Sequence, residues 1–107
     1  MKNVDLIIIG GGPAGYETAL LAAKNGLQTV LIESKKLGGT CLNEGCIPTK
    51  CLCRSAEIKR LLGSHNTLNT FGVENISYSF NINNASLRKN QVVDTLNGGI
   101  KAMLKAV

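Results

Sequence analysis

The six residues Gly10-Gly11-Gly12-Pro13-Ala14-Gly15 restrict the fold more than any other stretch of the chain. They follow Asp5-Leu6-Ile7-Ile8-Ile9, a branched-aliphatic run suited to a strand buried on both faces of a parallel sheet. Pro13, at a first helical position, leads into Tyr16 to Lys24. In that helix Ala19 and Ala23, with Leu27 beyond, are spaced to face the sheet, and Asn25-Gly26 supplies the stop. Thr29-Val30-Leu31-Ile32 reads as a second buried strand ending at Glu33. Strand, helix and strand over residues 4–33 predict a βαβ unit with a right-handed crossover.

Within such a unit each glycine has a separate task. Gly10 makes the bend, Gly12 lets the backbone approach a pyrophosphate, and Gly15 lets helix and strand pack closely. The phosphates would sit at the helix start, by Pro13 and Ala14, where unpaired N–H groups and the positive end of the helix dipole favour an anion. Glu33 stands where a carboxylate accepts hydrogen bonds from ribose hydroxyls and disfavours a 2′-phosphate, with Ser34 and Lys35 next to it as further contacts. The glycine motif alone does not separate FAD from NAD.

Residues 40–62 are helical in composition but interrupted by Gly45 and Pro48, so a kink or irregular turn is expected there. Residues 63–83 read as loop and extended chain: Gly63 to Thr70 is polar, and Ile76, Tyr78, Phe80 and Ile82 alternate with polar residues as in an edge strand. Over 84–107, with Asn84 as the N-cap, Val92 or Val93, Leu96, Ile100, Met103 and Val107 recur at helical spacing, and Gly98-Gly99 weakens the helix or permits a close approach. A chain of 107 residues, 44% of them hydrophobic, allows one core. The net charge of +5 is scattered from Lys2 to Lys105 with only two Tyr and two Phe for stacking, which argues for a solvated surface and against nucleic acid. No apolar run approaches the ~20 residues of a membrane span, and none suits a signal peptide; a cytoplasmic bacterial protein is expected.

Cys41, Cys46, Cys51 and Cys53 lie within thirteen residues. In a reducing compartment such a cluster is catalytic or metal-binding rather than a structural framework. The spacing fits neither the zinc pattern nor the common iron-sulfur runs, so no metal is expected and Cys51 and Cys53 read as ordinary buried helix cysteines. In a regular helix, residues five apart are separated by about 7.5 Å of rise, beyond the roughly 7 Å Cα limit of a disulfide. Cys41 and Cys46 can therefore bridge only across a bent backbone, for which Gly45 and Pro48 provide. A bridge closing so short a loop adds little stability, which points to redox work rather than a staple. His65, in a polar stretch without a carboxylate at helical or turn spacing, reads as a surface residue.

The segment Gly38-Gly39-Thr40-Cys41-Leu42-Asn43-Glu44-Gly45-Cys46-Ile47-Pro48-Thr49-Lys50 resembles the active-site signature of the pyridine nucleotide-disulfide oxidoreductases, GGTCxNxGCxPxK, at every fixed position. Leu42, Ile47 and Pro48-Thr49-Lys50 are more similar to the dihydrolipoamide dehydrogenases than to glutathione or mercuric reductases, although Glu44 and Thr49 depart from the usual Val and Ser. Leu87 to Ile100 also resembles the helix that follows the redox site in the lipoamide enzymes.

The resemblance implies an α/β fold, a Rossmann-like βαβ FAD-binding half-domain followed by long helices and truncated, and a redox disulfide between Cys41 and Cys46. Cys41 would exchange with a dithiol substrate, Cys46 would lie against the flavin as the charge-transfer thiolate, and Lys50 would stabilise negative charge near the flavin ring nitrogen. Gly39, Thr40 and Cys41 would join the glycine turn in holding FAD. The implied reaction oxidises dihydrolipoamide on the lipoyl domain of a 2-oxo acid dehydrogenase or glycine cleavage complex. NAD+ would be reduced through a domain outside these 107 residues, within a homodimer, and the isolated chain would be inactive. The alternatives are a glutathione- or mercuric-reductase-like member of the family, or a non-catalytic FAD-binding remnant acting as an interaction module.

Overall fold

The computed structural model describes residues 3–107. The elements run β1 (Leu6–Ile9), α1 (Pro13–Lys24), β2 (Thr29–Ile32), α2 (Gly39–Asn43), α3 (Cys46–Gly63), α4 (His65–Thr70) and α5 (Ile82–Lys105). β1 and β2 pair in parallel, from Leu6 opposite Thr29 to Ile9 opposite Ile32. Asp5 is not part of the strand: its N–H donates to the Gln28 carbonyl at 2.8 Å, and its carboxylate accepts from the Gln28 N–H at 2.8 Å. This exchange closes the sheet's lower end. Pro13 is the first residue of α1, where its fixed φ suits a helix and its missing N–H costs nothing. At the other end Asn25 Nδ2 donates to the Leu21 carbonyl, and Gly26, at φ +84°, turns the chain toward β2.

α1 buries Ala19, Leu20 and Ala22 and covers one face of the sheet, where Leu6, Ile8, Thr29 and Leu31 are half-buried. Ala23 is half-buried and Leu27 exposed, so the sheet-facing stripe is shorter than its spacing predicts. The expectation of strands buried on both faces is also corrected. Ile7 (57%), Ile9 (86%), Val30 and Ile32 (50%) project from the other face into solvent, because the remaining helices pack on one another and on α1 rather than on this side.

α3 and α5 form a long helical hairpin. The α3 start and the α5 end lie at the sheet, while the far tip holds α4 and the link to α5, with Lys59 Nζ 5.6 Å from the Phe80 ring centroid. The molecule measures 70 × 24 × 18 Å with a radius of gyration of 20.5 Å, against about 13 Å for a compact domain of this length. Three expectations are corrected in the hairpin. Gly63 to Thr70 is not a loop, because α4 forms there by burying Leu68. Residues 76–81 form no strand, since no second strand lies beside them to take the backbone bonds and alternation alone cannot supply a ladder. α5 begins before Asn84, because the Asn81 side chain accepts from the N–H groups of both Asn83 and Asn84.

The buried stripe of α5 is Val93, Asn97 and Ile100. Leu96 and Met103, expected inside, are exposed at 41% and 47%, as is Val107, which lies beyond the helix. Two apolar stripes compete on this helix. Packing against α2 and α3 selects the one that carries a polar residue.

Candidate functional site

β1 delivers the chain into the glycine turn, and Gly10 N–H returns to the Ile32 carbonyl at 2.8 Å. A Cβ at Gly15 would land on the Gly10 carbonyl oxygen, so only glycine lets α1 start this close to the strand it follows. Gly12 is the N-cap of α1, and no side chain caps the helix. Its first-turn N–H groups therefore remain available to an anion, beside the exposed Pro13 and Ala14.

Glu33 reaches back under this turn. One carboxylate oxygen accepts from Gly11 N–H at 2.7 Å and the other from Lys35 N–H at 2.8 Å. These bonds, the Gly11 one foremost, hold its pKa below the ordinary value of 4.5. The residue thus has a structural task that its position at the strand end did not reveal. Each oxygen keeps a further acceptor site, so the bonds to Gly11 and Lys35 do not preclude one to a hydroxyl. Ser34 beside it is exposed.

The segment after β2 is then pinned to the turn. Gly38 N–H donates to the Gly11 carbonyl at 2.7 Å, and Gly39, at φ +64°, lies so near Gly12 that a Cβ on it would come within 2.8 Å of the Gly12 Cα. α2 is a single turn. Asn43, at its end, folds its amide back to donate to the carbonyls of Leu37 at 3.0 Å and Gly39 at 2.9 Å.

The helix breaks at Glu44 and Gly45, whose φ of −125° and ψ of −105° are non-helical, and α3 starts at Cys46. The irregular turn expected around Gly45 and Pro48 falls at Gly45, ahead of Pro48. Pro48 is the third residue of α3, where the N–H it lacks would have no partner in any case. Across this break Cys41 and Cys46 are joined by a disulfide, with Cα atoms 4.7 Å apart. Cys41 is half-buried and Cys46 exposed, and exposed Lys50 follows Cys46 by one helical turn. Cys51 is buried and Cys53 exposed, which corrects the expectation that both are inside: residues two apart on a helix point to nearly opposite sides.

A cleft of about 650 Å³ opens between the β2 end, α2 and α5; Glu33, Lys35, Gly39 and Thr40 line it, together with Asn43 and Asp94. Gly10, Gly12, Gly15, Ser34, Cys41 and Lys50 do not line it. The first three form the turn to which its floor is bonded, while Cys41 lies in α2 and Lys50 in α3, one turn past Cys46. Sequence reasoning gave no role to Asn43 or Asn97. Asn43 was visible as a fixed position of the signature, and Asn97 as a polar residue interrupting an apolar helical stripe.

The family described as pyridine nucleotide-disulphide oxidoreductase matches residues 4–107. Among curated relatives, the chain is 46% identical over 101 residues to a dihydrolipoyl dehydrogenase of Bacillus subtilis strain 168, covering 94% of this chain and 21% of the relative. It is 41% identical to the dihydrolipoyl dehydrogenase of Pseudomonas aeruginosa, covering 96% of this chain and 22% of that protein. Among solved structures, LpdA from Mycobacterium tuberculosis superposes with a TM-score of 0.77 at 30% identity over 96% of this chain and 22% of the neighbour. RclA from Escherichia coli, a HOCl-induced flavoprotein disulfide reductase solved as a Cu(II) complex, gives 0.67 at 31% identity over 96% of this chain and 19% of its own. The chain thus spans about one fifth of the length of the relatives it matches. With its glycine turn, broken helix and bridged cysteine pair, the chain belongs to the pyridine nucleotide-disulphide oxidoreductases.

Proposed function

We propose that this chain is the part of an FAD-dependent dithiol oxidoreductase that holds the adenine-dinucleotide end of the flavin and carries the redox disulfide. The whole protein would oxidise dihydrolipoamide on a lipoyl domain and pass the electrons to NAD+. The observation that carries this reading is the bridge of Cys41 to Cys46 across the helix break, on a segment bonded to the glycine turn that leads into an uncapped helix. The residues suit the dinucleotide. The uncapped start of α1 offers N–H groups to phosphate, Glu33 offers acceptors to ribose, and Lys35 and Thr40 line a cleft of fitting size.

Bound FAD would supply the redox chemistry that carries electrons on from the reduced cysteine pair, which the disulfide by itself does not. The chain's own sulfurs do the thiol chemistry. A substrate thiolate attacks Cys41, the S–S bond breaks, and Cys46 leaves as a thiolate; the second substrate thiol then displaces Cys41. The substrate closes to its disulfide, and two electrons and two protons remain with the protein pair. Two placements support this division of roles. Cys46 is the first residue of α3, where the helix dipole favours negative charge on the released sulfur, and Lys50 stands one turn further on with a positive charge. The lipoyl partner, by this reading, belongs to a 2-oxo acid dehydrogenase or glycine cleavage complex, and NAD+ and the homodimer contacts are met by other parts of the whole protein.

The test is to add dihydrolipoamide to the oxidised chain, count new thiols at Cys41 and Cys46 by alkylation and peptide mass, and titrate FAD by quenching of its fluorescence. Reduction confined to that pair is expected, with weak FAD binding abolished in Gly12→Val and no NAD+ turnover. A pair inert to dihydrolipoamide, or FAD fluorescence unchanged at every concentration, would overturn the reading.

A further inference from the structure

Asn97 is the only polar side chain in the buried stripe of α5, at 7% exposure between Val93 and Ile100. An amide in such a place is costly unless it is hydrogen-bonded. Here its Nδ2 donates to the Leu37 carbonyl at 2.6 Å and to Asn43 Oδ1 at 3.3 Å, contacts that span 60 and 54 residues of chain. Leu37 immediately precedes Gly38 and α2, and Asn43 ends α2. One amide from a distant helix therefore holds both ends of the single turn on which Cys41 is carried. The Leu37 carbonyl receives a second bond from Asn43, so both of its acceptor sites are filled. Cys46 belongs to α3, which packs on the same α5. Both sulfurs are thus referred to one helix.

We propose that Asn97 is a positioning residue for the redox pair: by fixing Leu37 and Asn43 it holds the α2 turn so that Cys41 meets Cys46. This rests on the redox reading above. With the clamp in place the two thiols are already near each other before they join, which favours the closed bridge; released from it, the turn samples more positions and closure costs more entropy. An apolar residue at 97 would pack in the stripe equally well but could not discriminate between these states.

The test uses the full chain as wild type, Asn97→Leu and Asn97→Asp, equilibrated with mixtures of reduced and oxidised dithiothreitol. The reagent closes to its cyclic disulfide as the Cys41–Cys46 bond opens, passing two electrons and two protons to the protein sulfurs. Free thiols are counted by alkylation, and backbone protection is read by hydrogen exchange. Both variants are expected to move the exchange constant about tenfold toward the open dithiol, with protection of β1, β2 and α1 unchanged. Asp, which keeps the shape of Asn but faces two acceptors with acceptors, decides the matter if Leu does not fold. Thr95→Ala, at an exposed position on the same helix, is expected to leave the constant unchanged. Constants within twofold of wild type, or a shift accompanied by lost protection throughout the sheet, would overturn the assignment to Asn97 alone. A wild-type pair that stays open at every reagent ratio would instead overturn the redox reading together with it.

Discussion

At the sheet end of the molecule, Gly11, Glu33, Leu37, Gly38, Asn43 and Asn97 are joined by hydrogen bonds between residues far apart in sequence. At the far tip of the hairpin the polar bonds are local, and Phe71 (79%), Ile82 (61%) and Leu61 (51%) stand in solvent. The difference shows where tolerance to change resides. The first region is specified by close approaches and paired backbone groups, and the second by helix propensity, a cap and loose apolar cover.

The largest expected effect lies at the glycine turn. Gly15→Ala forces a methyl onto the Gly10 carbonyl and should destabilise the fold by about 3 kcal/mol in urea denaturation; a loss under 1 kcal/mol would show that the turn can shift and that the close approach is not obligatory. Next comes the hairpin's own fixed point. Asn81→Ala removes the cap that serves Asn83 and Asn84 and should cost about 1 kcal/mol, with fraying of the α5 start visible in amide exchange.

Acid sharpens the comparison from the other side. Because the Gly11 and Lys35 N–H groups lower the pKa of Glu33, its contribution is fully present above the ordinary value of 4.5 and is lost as pH falls through the lower folded value. Protection of the Gly11 amide should therefore weaken in the wild type once the pH falls below the ordinary carboxyl value of 4.5, while in Glu33→Gln it should be weaker at neutral pH and nearly flat with acid. An unchanged acid profile in that variant would remove Glu33 as the cause. The smallest effect belongs to the tip: Phe71→Ser should change stability by no more than about 0.5 kcal/mol, and a larger loss would mean that the tip is better packed than its exposure indicates.

The βαβ unit was legible in the sequence because its determinants are local. Branched residues, a glycine turn, Pro13 and Asn25-Gly26 sit next to the elements they define. The cysteine pair was legible for a similar reason: the rise of a helix forbids the bridge unless the helix stops, and Gly45 is where it stops. What escaped depends on distant partners. The alternation from Ile76 to Ile82 carries the period of a strand but meets no second strand, α4 depends on a place to bury Leu68, and the inward side of α5 was decided by packing on α2 and α3. Within the site, Glu33 was found but its bond to Gly11 was not, since nothing in a carboxylate's sequence position tells which backbone N–H it will meet. Asn97 escaped because apolar spacing was read without asking which polar residue shared the stripe.

The 70 Å long axis has a consequence for the motion of the whole particle. A rod of these proportions tumbles slowly end over end and quickly about its length, and helical N–H bonds lie along the helix axis whereas strand N–H bonds lie across the chain. Nitrogen relaxation should therefore divide the backbone by orientation, with N–H bonds lying along the rod reporting a longer rotational correlation time than those lying across it. That division would let a solution spectrum of the isotopically labelled chain register any bending of the hairpin against the sheet.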